Sequence, residues 1–240
     1  MTPMAGTKHM STVAVGIMCK TPAPGQSKTR LSPLLQPHEC AELSACFIRD
    51  LSRTIDALGG RGDVTGYAVY TPVGSEDALR RLLPAGFMLM PQIEGALGAR
   101  LIRATADLLD AGHRAVILVG SDSPTLPRTI LSAAIDAAIA GDNVVLSPAL
   151  DGGYTLVGLS RSHPRLFEDI PWSTDSVYRL TLERAREIAL PAVEVPGWYD
   201  VDDEASLRLL EQEFNGRRPE FAAGAEAPAT REFLTSRLVR

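Results

Sequence analysis

Apolar residues along this chain fall into short runs and helical stripes that alternate from residue 12 to residue 214. Val13–Met18 is aliphatic and partly β-branched, and predicts a first strand. Leu43, Phe47, Leu51, Ile55 and Leu58 then recur every three or four residues, the spacing that gathers side chains on one helix face. Val64–Tyr70 reads as a second strand, Glu76–Leu83 as a short helix and Phe87–Met90 as a brief strand. A helix follows over Leu97–Leu109, striped by Leu97, Leu101, Leu108 and Leu109. Ala115–Val119 is continuously apolar, as in a strand covered on both faces. Beyond it the pattern predicts a helix over Thr129–Ala140 and strands over Val144–Leu146 and Tyr154–Leu159. A helix over Asp175–Ile188, a strand over Ala192–Val195 and a helix over Glu204–Phe214 complete the series.

Alternating strands and helices build a mostly parallel sheet with helices on both faces. The expected fold class is therefore α/β, a three-layer, Rossmann-like mixed sheet in one domain over residues 12–214. Residues 1–11 carry no apolar core and read as a flexible N-terminal arm or cloning remnant. Residues 215–240 are rich in Ala, Arg and Glu and weakly patterned, an appended helix or a loosely held tail.

Composition narrows the class. The 240 residues are 45% hydrophobic and 22% charged, enough to bury one sizeable core. A net charge of -5 argues against a nucleic-acid partner, so any basic cluster is a local site. Cys19, Cys40 and Cys46 are odd in number and lack metal-ligand spacing, which favours reduced thiols and a cytoplasmic location. No apolar run approaches the roughly 18 residues of a membrane helix, so no membrane partner is expected.

The chemistry concentrates at the predicted strand ends, where ligands bind in such sheets. Directly after the first strand comes Lys20-Thr21-Pro22-Ala23-Pro24-Gly25-Gln26-Ser27-Lys28-Thr29-Arg30-Leu31. Pro24 and Gly25 fix an open turn whose N–H groups can face an anion, while Lys20, Lys28 and Arg30 supply charge. The glycine spacing is wrong for a Walker A loop: Gly25 lies three residues before Lys28 and the first glycine is missing. A solvated basic turn is the plainer alternative.

Asp122 follows the most apolar strand in Gly120-Ser121-Asp122-Ser123-Pro124, where a carboxylate either holds a divalent cation or caps a turn. Asp200-Val201-Asp202-Asp203 precedes the helix over 204–214; Asp203 can cap it and leave Asp202 or Asp200 facing the site. Asp151-Gly152-Gly153 allows close backbone approach to a ligand or makes an ordinary hairpin turn. Trp172 is core or pocket wall, and Thr174 a candidate helix cap. His9, His38, His113 and His163 show no ligand spacing.

Taken in order, these motifs resemble a bacterial GT-A-type transferase family labelled arsenosugar-biosynthesis or selenodomain-associated glycosyltransferases. That family is similar to the phospholactate and molybdenum-cofactor guanylyltransferases. The motifs are Lys-x-Pro-x-Pro-Gly-x-x-Lys-Thr-Arg-Leu, Gly-Ser-Asp-x-Pro, Asp-Gly-Gly-Tyr, Trp-Ser-Thr and Asp-Val-Asp, spread over roughly residues 12–212. The resemblance implies a nucleotide-diphospho-sugar transferase fold, with the nucleotide in the N-terminal half and the acceptor in the C-terminal half. Carried over, Lys20, Lys28 and Arg30, with Pro24 and Gly25 shaping their turn, hold phosphates. Asp122 and Asp202 hold Mg²⁺ or Mn²⁺ and carry the catalysis, and Asp151, Gly152, Gly153 and Trp172 line the acceptor side. The implied reaction is glycosyl transfer from a nucleotide sugar to a small acceptor. The alternative is nucleotidyl transfer from a triphosphate, which three cations in one loop favour.

Overall fold

The computed structural model describes residues 12–217 and 223–237; the N-terminal arm expected over 1–11 lies outside them. Among the described residues, β1 (Val13–Lys20), β2 (Val64–Thr71), β3 (Met88–Pro91), β4 (Ala115–Gly120), β5 (Val144–Pro148), β6 (Tyr154–Leu159) and β7 (Ala192–Glu194) form one sheet in the order β3-β2-β1-β4-β6-β5-β7. All neighbours are parallel except β6, which runs antiparallel to β4 and β5. The mixed, mostly parallel sheet follows from the sequence alternation. The reversal of β6 follows from the short connection at residues 149–153, which can join only antiparallel neighbours.

Period-two alternation sorts each strand between two helical layers. In β1, Val13, Val15, Ile17 and Cys19 face α1 (Pro37–Asp56), α4 (Arg128–Ala140), α6 (Glu204–Phe214) and α7 (Pro228–Arg237). Ala14, on the other face, joins Leu101 and Leu108 of α3 (Leu97–Asp110) and Ala185 of α5 (Val177–Glu187). The stripe Leu43, Phe47, Leu51, Ile55 is wholly buried, as its helical spacing demands. Leu58 is buried too, although α1 ends at Asp56.

Several expected boundaries shift. The third strand lies at Met88–Pro91 rather than Phe87–Met90, because Phe87 turns into the core against Gly66. α2 (Glu76–Arg80) stops short of Leu83. α5 begins at Val177, with Ser176 and not Thr174 at its cap position, because the Thr174 hydroxyl donates to the Pro171 carbonyl.

Residues 228–237 make α7 on the α1 side of the molecule, where Phe233 and Leu234 are buried. Asp50 of α1 reaches across and accepts from the Ala229 and Thr230 amides at 3.1 and 2.7 Å and from the Thr230 hydroxyl at 2.7 Å. Those amides belong to the first turn of α7, which has no intrahelical partner for them. A carboxylate from another helix thus caps it.

The order of strand addition reverses at the middle of the sheet: β2 and β3 lie to one side of β1, β4 to the other. A crevice opens at such a switch point, outside the carboxyl ends of β1 and β4. It is flanked by the loops that follow Lys20 and Gly120.

Candidate active site

The crevice is a cleft of about 630 Å³. Lys20, Gln26, Ser27, Lys28, Thr29 and Arg30 line one side; Asp122, Asp200 and Asp202 also face it, and Asp151, Gly153 and Trp172 line it from the C-terminal half. The site residues anticipated from sequence therefore converge, with three qualifications. Pro24 and Gly25 shape the turn without lining the cleft, Gly25 at φ 70°, where glycine carries no steric cost. Gly152 is likewise set back. Its carbonyl accepts from the Tyr178 amide, and a Cβ there would lie 2.2 Å from the Asp175 carbonyl oxygen.

Local bonds hold the basic loop in shape. The Gln26 and Ser27 amides return to the Ala23 carbonyl, and the Ser27 hydroxyl accepts from the Ala23 amide. Lys28 sits at φ 49°, a left-handed conformation uncommon outside glycine. Lys20 and Arg30 are exposed at the rim.

Lys28 points inward. Its Nζ lies 2.6 Å from Asp122 Oδ1, 2.9 Å from Asp202 Oδ1 and 2.6 Å from the Val201 carbonyl, with 4% of its side chain exposed. The two aspartates come from separate loops, one after β4 and one before α6, and the Val201 amide, donating to the Asp122 carbonyl, pins these loops together. Asp203 caps α6, accepting from the Ser206 amide while Ser206 bonds back. That leaves Asp202 turned to the cleft.

Asp122 is not the freely exposed strand-end carboxylate that its position suggests: it is 36% exposed and ion-paired. Burial raises its pKa, helped by Asp202 and opposed by Lys28. Asp202 is also desolvated, but Lys28, then the contact with Asp122 and then Arg30 outweigh that and hold it low. Burial alone would lower Lys28, yet Asp122 and Asp202 raise it, so it stays charged. Asp200 is pushed up to about 7 by burial and by the Asp202 and Asp151 carboxylates. Burial, with Asp122 nearby, pushes Cys19 up to about 12, which makes it an inert core thiol.

On the C-terminal side, Trp172 packs against α3 at Gly98. A Cβ on Gly98 would stand 2.5 Å from the Phe167 carbonyl oxygen and 3.0 Å from Trp172 Nε1, so only glycine admits this approach. Sequence reasoning missed the Lys28 pairing and the Arg100–Gln92 contact beside the cleft. There Gln92 Nε2 donates to the Cys19 and Val69 carbonyls while its Oε1 accepts from Arg100 at 3.1 Å. No motif signals either, since each joins residues from separate segments of the chain.

Among the described residues, no set of three His, Cys, Asp or Glu side chains is arranged to hold a metal. None of their helices is long and apolar enough to cross a membrane. The profile of a bacterial protein family matches residues 54–174, half of the chain. The chain belongs to DUF2064. That family is described as an uncharacterized protein conserved in bacteria. This DUF2064 chain is 28% identical over 213 residues to the 2-phospho-L-lactate guanylyltransferase of Natrialba magadii, covering 85% of the chain and 86% of that protein. It superposes with a TM-score of 0.79 and 26% identity on a Desulfovibrio desulfuricans G20 protein provisionally named a nucleotide-diphospho-sugar transferase, over 93% of this chain and 95% of that one. A cytidylyltransferase from Leptospira borgpetersenii serovar Hardjo-bovis shares the fold at a TM-score of 0.52, 10% identity and 95% coverage of both chains. The fold of this DUF2064 chain is that of the nucleotide-diphospho-sugar transferases.

Proposed function

We propose that this DUF2064 chain is a nucleotidyltransferase that condenses a nucleoside triphosphate with a small phosphorylated acceptor and releases pyrophosphate. Its relatives are transferases acting with nucleotides or nucleotide sugars, so the coarser reading is a nucleotide-dependent transferase. The observation that carries the finer one is the wall of the cleft: Lys20, Lys28 and Arg30 from one loop, facing Asp122 and Asp202. The cations of that loop, Lys20 and Arg30 exposed at the rim with Lys28 behind them, match the charge of a triphosphate better than that of a nucleotide sugar. The guanylyltransferase similarity over 85% of the chain adds to it.

In this reading Lys20 and Arg30 bind the donor's outer phosphates and offset charge on the leaving group. An acceptor oxygen attacks the α-phosphorus, the bond from that phosphorus to the bridging oxygen breaks, and pyrophosphate departs with the electron pair. A phosphorylated acceptor is already ionised at neutral pH, so no group of the chain need take a proton. Asp151, Gly153 and Trp172 orient it.

Asp122 and Asp202 would hold Mg²⁺ or Mn²⁺. They fit such an ion because they converge on one cation, and Mg²⁺ takes few protein carboxylates and completes its shell with water and phosphate. When bound it would neutralise charge on the phosphates.

Glycosyl transfer is the second reading, favoured by the name of the Desulfovibrio protein. Incubation with each nucleoside triphosphate, each nucleotide sugar and phosphorylated acceptors, with Mg²⁺, separates them. Pyrophosphate from a triphosphate is the expected product. Free nucleoside diphosphate from a nucleotide sugar would instead establish glycosyl transfer.

A further inference from the structure

Lys28 has no donor to spare. A primary ammonium offers three N–H bonds, and three oxygens surround this one: Asp122 Oδ1, Asp202 Oδ1 and the Val201 carbonyl, at 2.6, 2.9 and 2.6 Å. The Phe47 ring, 5.2 Å from Nζ, closes another side. Lys28 lines the cleft but its charge is taken up by the two carboxylates, whereas Lys20 and Arg30 stand exposed at the rim. Its ammonium lies in the bed that the two carboxylates would give a divalent ion, and like charges in one bed repel.

We infer that Lys28 is a resident cation of the Asp122–Asp202 bed, and that a divalent ion enters there only as Lys28 leaves it. The inference rests on the reading of these aspartates as the metal pair. A donor polyphosphate, arriving at Lys20 and Arg30, gives the displaced ammonium a new anionic partner. Metal and donor then favour each other's binding by the same factor, as linkage requires. Empty protein keeps its carboxylates neutralised and discriminates against free metal.

Mn²⁺ binding to the full chain, followed by loss of the free-ion electron paramagnetic resonance signal, tests this without nucleotide or turnover. Lys28→Gln is expected to bind Mn²⁺ at least ~10-fold more tightly than wild type, a coupling of ordinary size. Lys28→Arg, which keeps a cation, is expected to bind as weakly as wild type. Equal affinity for wild type and Lys28→Gln overturns the inference alone; no binding by either overturns it together with the metal assignment. Should Lys28→Gln fail to fold, amine labelling of the wild type decides the matter. Lys28 is expected to be protected without metal and labelled faster at saturating Mn²⁺. Unchanged protection at full Mn²⁺ occupancy overturns displacement.

Discussion

Asp122 and Lys28 show how a side chain's meaning depends on the group facing it. Asp122 is ion-paired to a nearly buried ammonium while about a third of its own surface stays open to the cleft. Replacing it by Asn removes the charge and keeps a carbonyl oxygen that can accept from Lys28. Lys28 also retains Asp202 and the Val201 carbonyl. Because Asn keeps an acceptor for Lys28 and relieves the cost of holding a desolvated carboxylate there, Asp122→Asn is expected to change stability by no more than ~1 kcal/mol in urea unfolding. The same change is expected to lower metal-dependent turnover at least ~100-fold, the order lost when a cation's charge stabilisation is withdrawn. Full turnover in saturating Mg²⁺ would remove Asp122 from the metal pair. None of this is visible in Gly120-Ser121-Asp122 as a motif, which reads equally well as a turn. The partner lies 94 positions away in one loop and 80 in another, and sequence spacing carries no such information.

Elements were the most legible level. The stripe Leu43, Phe47, Leu51, Ile55 became the buried face of α1, and Ala115–Val119 became a central strand buried on both faces. What the pattern could not give was the partner of each polar position. Asp50, on the same helix, looks like an ordinary surface acid in sequence. It is 2% exposed and caps α7, some 180 residues later, through two amides and a hydroxyl. Asp50→Ala would strand the first-turn amides of α7 and leave a cavity. We expect a loss of about 3 kcal/mol in chemical unfolding, the scale of bonds to a buried charged acceptor. Asp50→Asn, which keeps one acceptor, should recover part of it. A loss below about 1 kcal/mol would show that α7 docks through Phe233 and Leu234 alone.

For the molecule as a whole, the sheet divides labour between its two ends. The carboxyl end carries the cleft; the amino end carries a bonded group in which His113 joins Thr12 at 2.7 Å and Tyr67 at 2.9 Å. Burial lowers the His113 pKa, so the folded state favours the neutral ring. The unfolded chain takes up that proton first as pH falls below about 6.5, and the contribution is therefore full above that pH and declines beneath it. His113→Gln is expected to cost about 2 kcal/mol at pH 7.5, for two lost hydrogen bonds. The cost should shrink towards pH 5. A pH-independent difference between the two proteins would mean that His113 does not titrate with folding. Sequence by itself determined the alternating elements and the loops that bear charge, because hydrophobic period and Pro/Gly chemistry are local and need no partner. Tertiary structure alone decided the capping of α7 by Asp50 and the meeting of Lys28 with Asp122 and Asp202. Those depend on which helices and loops become neighbours, and the electrostatics of a buried group is set by what lies within a few ångströms, however far apart the residues stand in the chain.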